Sequence, residues 1–279
     1  MSVSVTVLAS GSKGNSTLIS CGATRLLVDA GLSCRETKRR LKLAGEDPGA
    51  LTAVIISHEH SDHVSGLPAI AKNFDVPAYL TESTYAAWAK QWRDAGGEGD
   101  PLPRKEFFRA GHKFSLGEGA SNSNKIEVTP FTIPHDAADP VGFRITAQGV
   151  TITIVTDLGY MPPSVRDQLA GCDVMIIESN HDLEMLRGGP YPWSVKQRVL
   201  SRVGHLSNDA LADFFSGDYD GNAAFLILAH ISAENNHPEV ARRAAEKALE
   251  SRPSLLQSRG RLSHVLVASQ TEPLDTIRL

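Results

Sequence analysis

The apolar positions of this chain fall into two rhythms. Short runs in which Val, Ile, Leu and Thr alternate or crowd together, bounded by Gly, Asp, Asn and Ser, mark strands. They predict strands over residues 3–8, 16–20, 25–29, 53–57, 78–81, 126–133, 141–147, 150–156, 174–178, 224–229 and 264–269. Longer stretches with apolar residues three or four apart predict helices over 34–44, 67–74, 82–94, 164–169, 193–203, 207–215 and 238–251. Ser207 or Asn208 suits the N-cap of the sixth helix, and Pro238 the first turn of the last. Trp88 and Trp92, four apart, read as one packing face. Segments 94–104 and 117–125, rich in Gly with Pro, charge, Ser or Asn, read as surface loops. Strands come first as a meander and then alternate with helices. No repeat or low-complexity linker interrupts them, so the pattern predicts one α/β domain over 1–279, with two β-rich layers flanked by helices.

Composition narrows this picture only a little. With 279 residues, 41% of them hydrophobic, the chain can bury a sizeable core. A net charge of −4 argues against a highly basic nucleic-acid coat protein but leaves room for a local basic patch. The three cysteines, Cys21, Cys34 and Cys172, are odd in number and show no CxxC spacing, which points to a reducing cytoplasm. The start reads as a strand with no positive n-region, so no signal peptide is expected. No apolar run approaches the ~18–20 residues of a membrane helix.

The chemistry concentrates in Ser57-His58-Glu59-His60-Ser61-Asp62-His63, directly behind the apolar run Ala53-Val-Ile-Ile. Charged groups packed this densely behind a buried strand need a compensating partner, and imidazole and carboxylate are good ligands for a divalent metal. The crowding fits two adjacent centres better than a single tetrahedral one. The bland alternative is a solvated turn that happens to be His-rich. Further candidates sit where predicted strands end: His135, Asp157, Glu178 and His230. Ligand groups commonly gather there on a rigid scaffold, although a lone His or Asp at a strand end is more often a cap.

His58-x-His60-x-Asp62-His63, followed in order by His135, Asp157 and His230, resembles the metallo-β-lactamase superfamily, and Asp29 in Leu26-Leu-Val-Asp-Ala-Gly31 matches its early aspartate. The resemblance implies a four-layer αββα sandwich over nearly the whole chain. Residues 8–16 (Leu-Ala-Ser-Gly-Ser-Lys-Gly-Asn-Ser), Glu178-Ser-Asn-His-Asp182, Gly189-Pro-Tyr-Pro-Trp193, Gly204-His-Leu-Ser207 and His230-Ile-Ser-x-Glu-Asn-Asn236 are similar to the bacterial YycJ (WalJ) group. That group is thought to act as nucleases or phosphodiesterases. Carried over, the resemblance implies one metal at His58, His60 and His135, a second at Asp62, His63 and His230, and Asp157 bridging the two. Zinc or manganese fits this donor set, and iron also, since no Cys favours a softer ion. The β-lactamases proper often place a Cys at the second site; here Asp157 takes that place, against a lactamase reading.

Two ions ~3.5–4 Å apart would share and acidify a water for attack on a phosphodiester. Asp62, Glu178 and His205 are the candidate catalytic groups. Glu178 and His205 resemble the Glu–His pair of tRNase Z enzymes, which would protonate the leaving oxygen; the alternative is that Glu178 caps a loop and His205 a helix. His181 reads equally as a substrate-facing group or as one that orients a ligand. Residues 10–16 read as a tight turn or, less readily, a phosphate nest. Basic residues cluster over 35–42, more simply a solvated helix face, and over 187–202, where Lys196 and Arg198 accompany Tyr191 and Trp193. The expected function is therefore a dinuclear metal-dependent phosphodiesterase or exonuclease with a DNA or RNA substrate, cytoplasmic and with no membrane partner. A thioester, lactone or lactam hydrolase and a metal-stabilised binding protein are the alternatives. The stretch between Asp157 and His230 is too short for the large insertion of RNase J-type nucleases.

Overall fold

The computed structural model describes residues 2–117, 124–252 and 263–279. Most of the predicted 117–125 loop therefore lies outside the described residues. The strands form two mixed sheets, accompanied by helices, and contacts divide the chain into two compact units.

The first unit comprises Met1–Thr132, Ala137–Val150 and Ser269–Leu279. Its strands are β1 (Val3–Ala9), β2 (Ser16–Cys21), β3 (Thr24–Val28), β4 (Ala53–Ile55), β5 (Ala78–Leu80), β6 (Lys105–Phe107), β7 (Phe114–Leu116), β8 (Ile126–Thr132) and β9 (Val141–Ala147). Its helices are α1 (Cys34–Leu43), α2 (Ser61–Val64), α3 (Leu67–Phe74) and α4 (Glu82–Asp94). β1, β2 and β3 pair antiparallel, and β3 to β6 run parallel. β7, β8 and β9 pair antiparallel. The apolar faces of β1–β5 close over α1, α3 and Trp88 of α4, burying Leu8, Leu27, Val54, Ile56, Leu67 and Leu80 in one cluster. The parallel order carries the C-terminal ends of β3 and β4 to one edge, where Asp29 and Ser57 follow.

The second unit comprises Ile133–Asp136 and Thr151–Ala268. Its strands are β10 (Val150–Val155), β11 (Val174–Glu178), β12 (Phe225–Ala229) and β13 (His264–Val267), all parallel. Its helices are α5 (Pro163–Leu169), α6 (Leu183–Gly188), α7 (Trp193–Val199), α8 (Asn208–Gly217) and α9 (Pro238–Glu250). The central β11 and β12 read as continuous apolar runs because both faces are covered, and Ile176, Ile177, Leu226, Ile227 and Leu228 are fully buried. Ser207 caps α8 through its hydroxyl, and Pro238 opens α9, as the sequence implied. β14 (Ile277–Arg278) lies back in the first unit, antiparallel to β1.

Candidate metal centre

In the first unit, β4 ends directly in the motif, and the chain turns through His60 into the single turn of α2. That turn lies close against the end of β3. A Cβ on Gly31 would collide with the Asp62 carbonyl, and one on Gly66 with the Leu32 carbonyl, so only glycine permits the approach. His58 and His63 are buried, while His60 and Asp62 are half-buried. The His58 ring centroid lies 4.6 Å from that of His60 and 4.1 Å from that of His63. Ring nitrogens of His58 and His60 lie within 4.8 Å of each other, as do candidate ligand atoms of Asp62 and His63.

Asp29 organises this turn. Its carboxylate accepts from the Ser57 backbone N–H at 2.8 Å, from the Ser57 hydroxyl at 2.9 Å and from His63 Nδ1 at 2.8 Å. With the proton on Nδ1, the lone pair of His63 lies on Nε2, the form that binds a cation. Asn15 directs its amide toward the same place, 3.1 Å from both Asp62 Oδ2 and His63 Nε2. The loop that carries Asn15 is a tight turn and not a phosphate nest. Its N–H groups at Gly11, Lys13 and Asn15 already donate to Asn15 Oδ1, Gln270 Oε1 and the Asp62 carbonyl.

In the second unit the candidate groups come from strand ends and one loop. His135 follows β8, Asp157 follows β10, Glu178 ends β11 and His230 follows β12. His135 Nδ1 donates to the Gly204 carbonyl at 3.2 Å, which leaves the Nε2 lone pair turned the other way, 3.8 Å from Asp157 Oδ1. Glu178 is fully buried and fully engaged. Its Oε1 accepts from His205 Nδ1 at 2.8 Å and His230 Nδ1 at 2.9 Å; its Oε2 accepts from the N–H groups of Leu158 at 2.6 Å and Leu206 at 3.1 Å. Candidate ligand atoms of Asp157, Glu178, His205 and His230 all lie within 4.8 Å of one another.

Charge follows from this packing. Burial alone would raise the Glu178 pKa, but the two imidazoles hold it well below the ordinary carboxylate range. Burial would push His205 down, and the adjacent Glu178 carboxylate more than offsets this and raises it. The side chain of His205 is 20% exposed and that of His230 only 3%, so His205 is the more accessible imidazole of the pair. His181 is buried, and neither ring nitrogen has a hydrogen-bond partner among the described residues.

Sequence reasoning singled out all seven predicted metal ligands together with Glu178 and His205. The structure gathers His58, His60, Asp62 and His63 within the first unit. It gathers Asp157, Glu178, His205 and His230 within the second, with His135 beside Asp157. What that reasoning missed is the supporting layer of Ser57, Asn15 and Asn180, whose Nδ2 donates to the His230 carbonyl at 2.8 Å. Asn15 and Asn180 stand inside motifs already noted, but only the fold shows which atoms they serve.

Residues 24–231 match the β-lactamase superfamily domain. The chain belongs to the metallo-β-lactamase superfamily. Within it, the chain is 35% identical over 252 residues to the exodeoxyribonuclease YycJ of Bacillus anthracis, covering 90% of this chain and 91% of that one. It is 34% identical over 235 residues to the exodeoxyribonuclease WalJ of Streptococcus pneumoniae, covering 84% of each. These likenesses place it in the YycJ/WalJ group. Among solved structures, the metallo-β-lactamase fold protein YhfI of Bacillus subtilis superposes with a TM-score of 0.68 at 19% identity, covering 98% of this chain and 99% of that one. Human tRNase Z, short form, superposes with a TM-score of 0.60 at 17% identity, covering 98% of each. These two likenesses show the shared fold. The donor set suits a metal: His63, His135 and His230 each engage Nδ1 in a hydrogen bond, which turns Nε2 toward a possible cation, and carboxylates lie alongside.

Proposed function

We propose that this superfamily member is a metal-dependent exodeoxyribonuclease, with its two units working as a single domain. His58, His60 and His135 would hold one divalent ion, Asp62, His63 and His230 a second, and Asp157 would be shared. Zinc or manganese suits these donors, and iron also. Bound there, the ions would supply Lewis acidity and a water acidified toward neutrality.

The chain's own groups do the rest. Asp62 and Asp157 place carboxylates beside the imidazoles and would balance the charge of bound cations. Glu178 does not touch substrate; buried and saturated with hydrogen bonds, it fixes the Nδ1 sides of His205 and His230. His205, with its pKa raised and its ring partly exposed, would hold a proton for the leaving oxygen. One observation carries this reading: a single carboxylate oxygen clamps two imidazoles, one buried and one accessible, in a chain whose relatives are named exodeoxyribonucleases. The three cysteines form no disulfide among the described residues, and no described helix is long and apolar enough to cross a membrane. Both observations are compatible with work in the cytoplasm on a dissolved nucleic acid.

The test is His205→Ala, assayed for metal content and for turnover of bis-p-nitrophenyl phosphate and labelled DNA, with RNA, nitrocefin and a glutathione thioester as comparison substrates. Turnover of the diesters should fall by about 10²–10⁴-fold with metal content unchanged. Unchanged turnover at full metal content removes His205 from proton transfer, and preferential hydrolysis of nitrocefin or the thioester overturns the nuclease assignment.

A further inference from the structure

One stretch of the second unit is built unlike the rest of its surface. Between Glu178 and His205, residues 185–203 expose Met185, Trp193, Val195, Leu200 and Val203, five of the eight large apolar side chains exposed among the described residues. Trp193, at the start of α7, is 66% exposed. An indole held so far into water, with aliphatic side chains on the same segment, marks a surface that meets something.

The charge on this stretch says what. From 185 to 203 there are four basic residues, Arg187, Lys196, Arg198 and Arg202, and no acidic ones. Lys196 is buried and donates to the Arg187 and Gly189 carbonyls, both at 2.7 Å, and Arg198 pairs with Asp136. Arg187 and Arg202 are exposed and have no carboxylate partner among the described residues; the Arg202 guanidinium lies 4.0 Å from the Tyr160 ring centroid. A second copy of this chain docked symmetrically would set these unneutralised guanidinium groups against one another. A polyanion with flat apolar faces would satisfy both halves of the surface at once.

The stretch is also bolted to the candidate centre. The His205 N–H donates to the Val199 carbonyl at 3.0 Å, the Asp136 N–H to the Val203 carbonyl at 3.1 Å, and His135 Nδ1 to the Gly204 carbonyl at 3.2 Å. Val203 is separated from His205 by at most ~7 Å of backbone. Trp193 opens α7 and Val199, which bonds His205, closes it, so the indole lies one length of α7, roughly 10 Å, from that bond.

We propose that residues 185–203 form the landing surface for the unpaired end of a DNA strand. Bases stack on Trp193 and pack on Leu200 and Val203, while Arg187 and Arg202 take backbone phosphates, as the strand leads toward His205. Bases inside a duplex already stack on one another, so the surface selects single-stranded ends. The inference rests on the nuclease reading for the place of the scissile phosphate.

The experiment measures binding by fluorescence anisotropy on phosphorothioate-linked dodecamers, which resist cleavage. One is oligothymidylate and the other an abasic chain of equal length. Parent and Trp193→Ala proteins are compared, with Arg187→Ala as a second variant. Trp193→Ala should weaken oligothymidylate binding about tenfold or more. The abasic chain should bind the parent and this variant equally. Arg187→Ala should reduce the slope of log affinity against log salt by about 0.7. Equal oligothymidylate affinity for parent and Trp193→Ala overturns the proposal, and so does a loss of the same size on the abasic chain. So does a concentration-dependent dimer that Trp193→Ala dissolves without changing DNA affinity, because a second copy then covers the surface. Cleavage of the natural oligonucleotide is read separately. Trp193-dependent binding without cleavage removes the nuclease reading and leaves this surface; cleavage with unchanged Trp193→Ala affinity does the reverse.

Discussion

Asp29, Asp157 and His230 all adopt left-handed backbone, with φ of 61°, 60° and 53°. Asp29 and His230 directly follow β3 and β12, and Asp157 follows β10 after one intervening residue. Such a conformation costs a non-glycine residue on the order of 1–3 kcal/mol and persists where surrounding contacts over-determine it. At Asp29 those contacts are the N–H and hydroxyl of Ser57 and the ring of His63. Asp29→Asn keeps the shape but removes the charge that fixes the His63 tautomer. Its expected effect is a loss of metal affinity of about 10–100-fold, read by competition against a chelator; parent-like affinity would remove Asp29 from that role. His181 makes a pH prediction. Burial lowers its pKa from 6.5 to about 4. As pH falls below 6.5 the unfolded chain takes up a proton that the folded chain refuses until pH 4, so stability is lost across that window. Thermal melts of the parent should therefore decline more steeply than those of His181→Asn between pH 6.5 and 4. Parallel curves would mean that His181 is not held neutral.

At the scale of elements, α1 shows how a basic run can mislead. Residues 35–42 read as a solvated face, and for Arg39 that holds, since it pairs with Glu36 at the surface. Arg40 is buried instead. Its Nη1 donates to the Leu8 carbonyl at 2.7 Å and to the Gln270 carbonyl at 3.1 Å, and its Nε to Glu36 at 2.7 Å. The two arginines hold the Glu36 pKa at about 2. Arg40→Ala strands buried carbonyls and should cost about 3 kcal/mol in urea unfolding; a change within experimental error would show that water replaces it freely. Helices with a clear apolar periodicity were legible: those over 67–74 and 82–94 match their predicted bounds. β6, β7 and β14 were not, because they are two or three residues long and owe their pairing to neighbours, not to pattern. α6 was missed although Asp182 caps it through Glu184 and Met185, because six residues show too little period. The helix expected over 193–203 stops at Val199, where Gly204 bonds back to Ser201 and turns the chain toward His205.

For the molecule as a whole, the α/β class, the paired sheets and the superfamily were all legible, because the His-rich motif is dense and its partners recur at strand ends in a fixed order. The donor atoms were legible as residue types only. That one oxygen of Glu178 clamps both His205 and His230 depends on β11 lying beside β12, a pairing that strand patterns do not specify. The burial of His181 and the exposure of Trp193 likewise emerge only from the fold. The proposed cooperation of the two units makes one demand: ligands from each must hold the same ions. Elemental analysis of the purified chain tests this most directly, beside His58→Ala from the first unit and His230→Ala from the second. The account predicts about two divalent ions per parent chain and a reduced content in both variants, with diester hydrolysis falling alongside. A parent chain that carries no divalent ion yet hydrolyses the diester, or variants that keep the full complement, would contradict it.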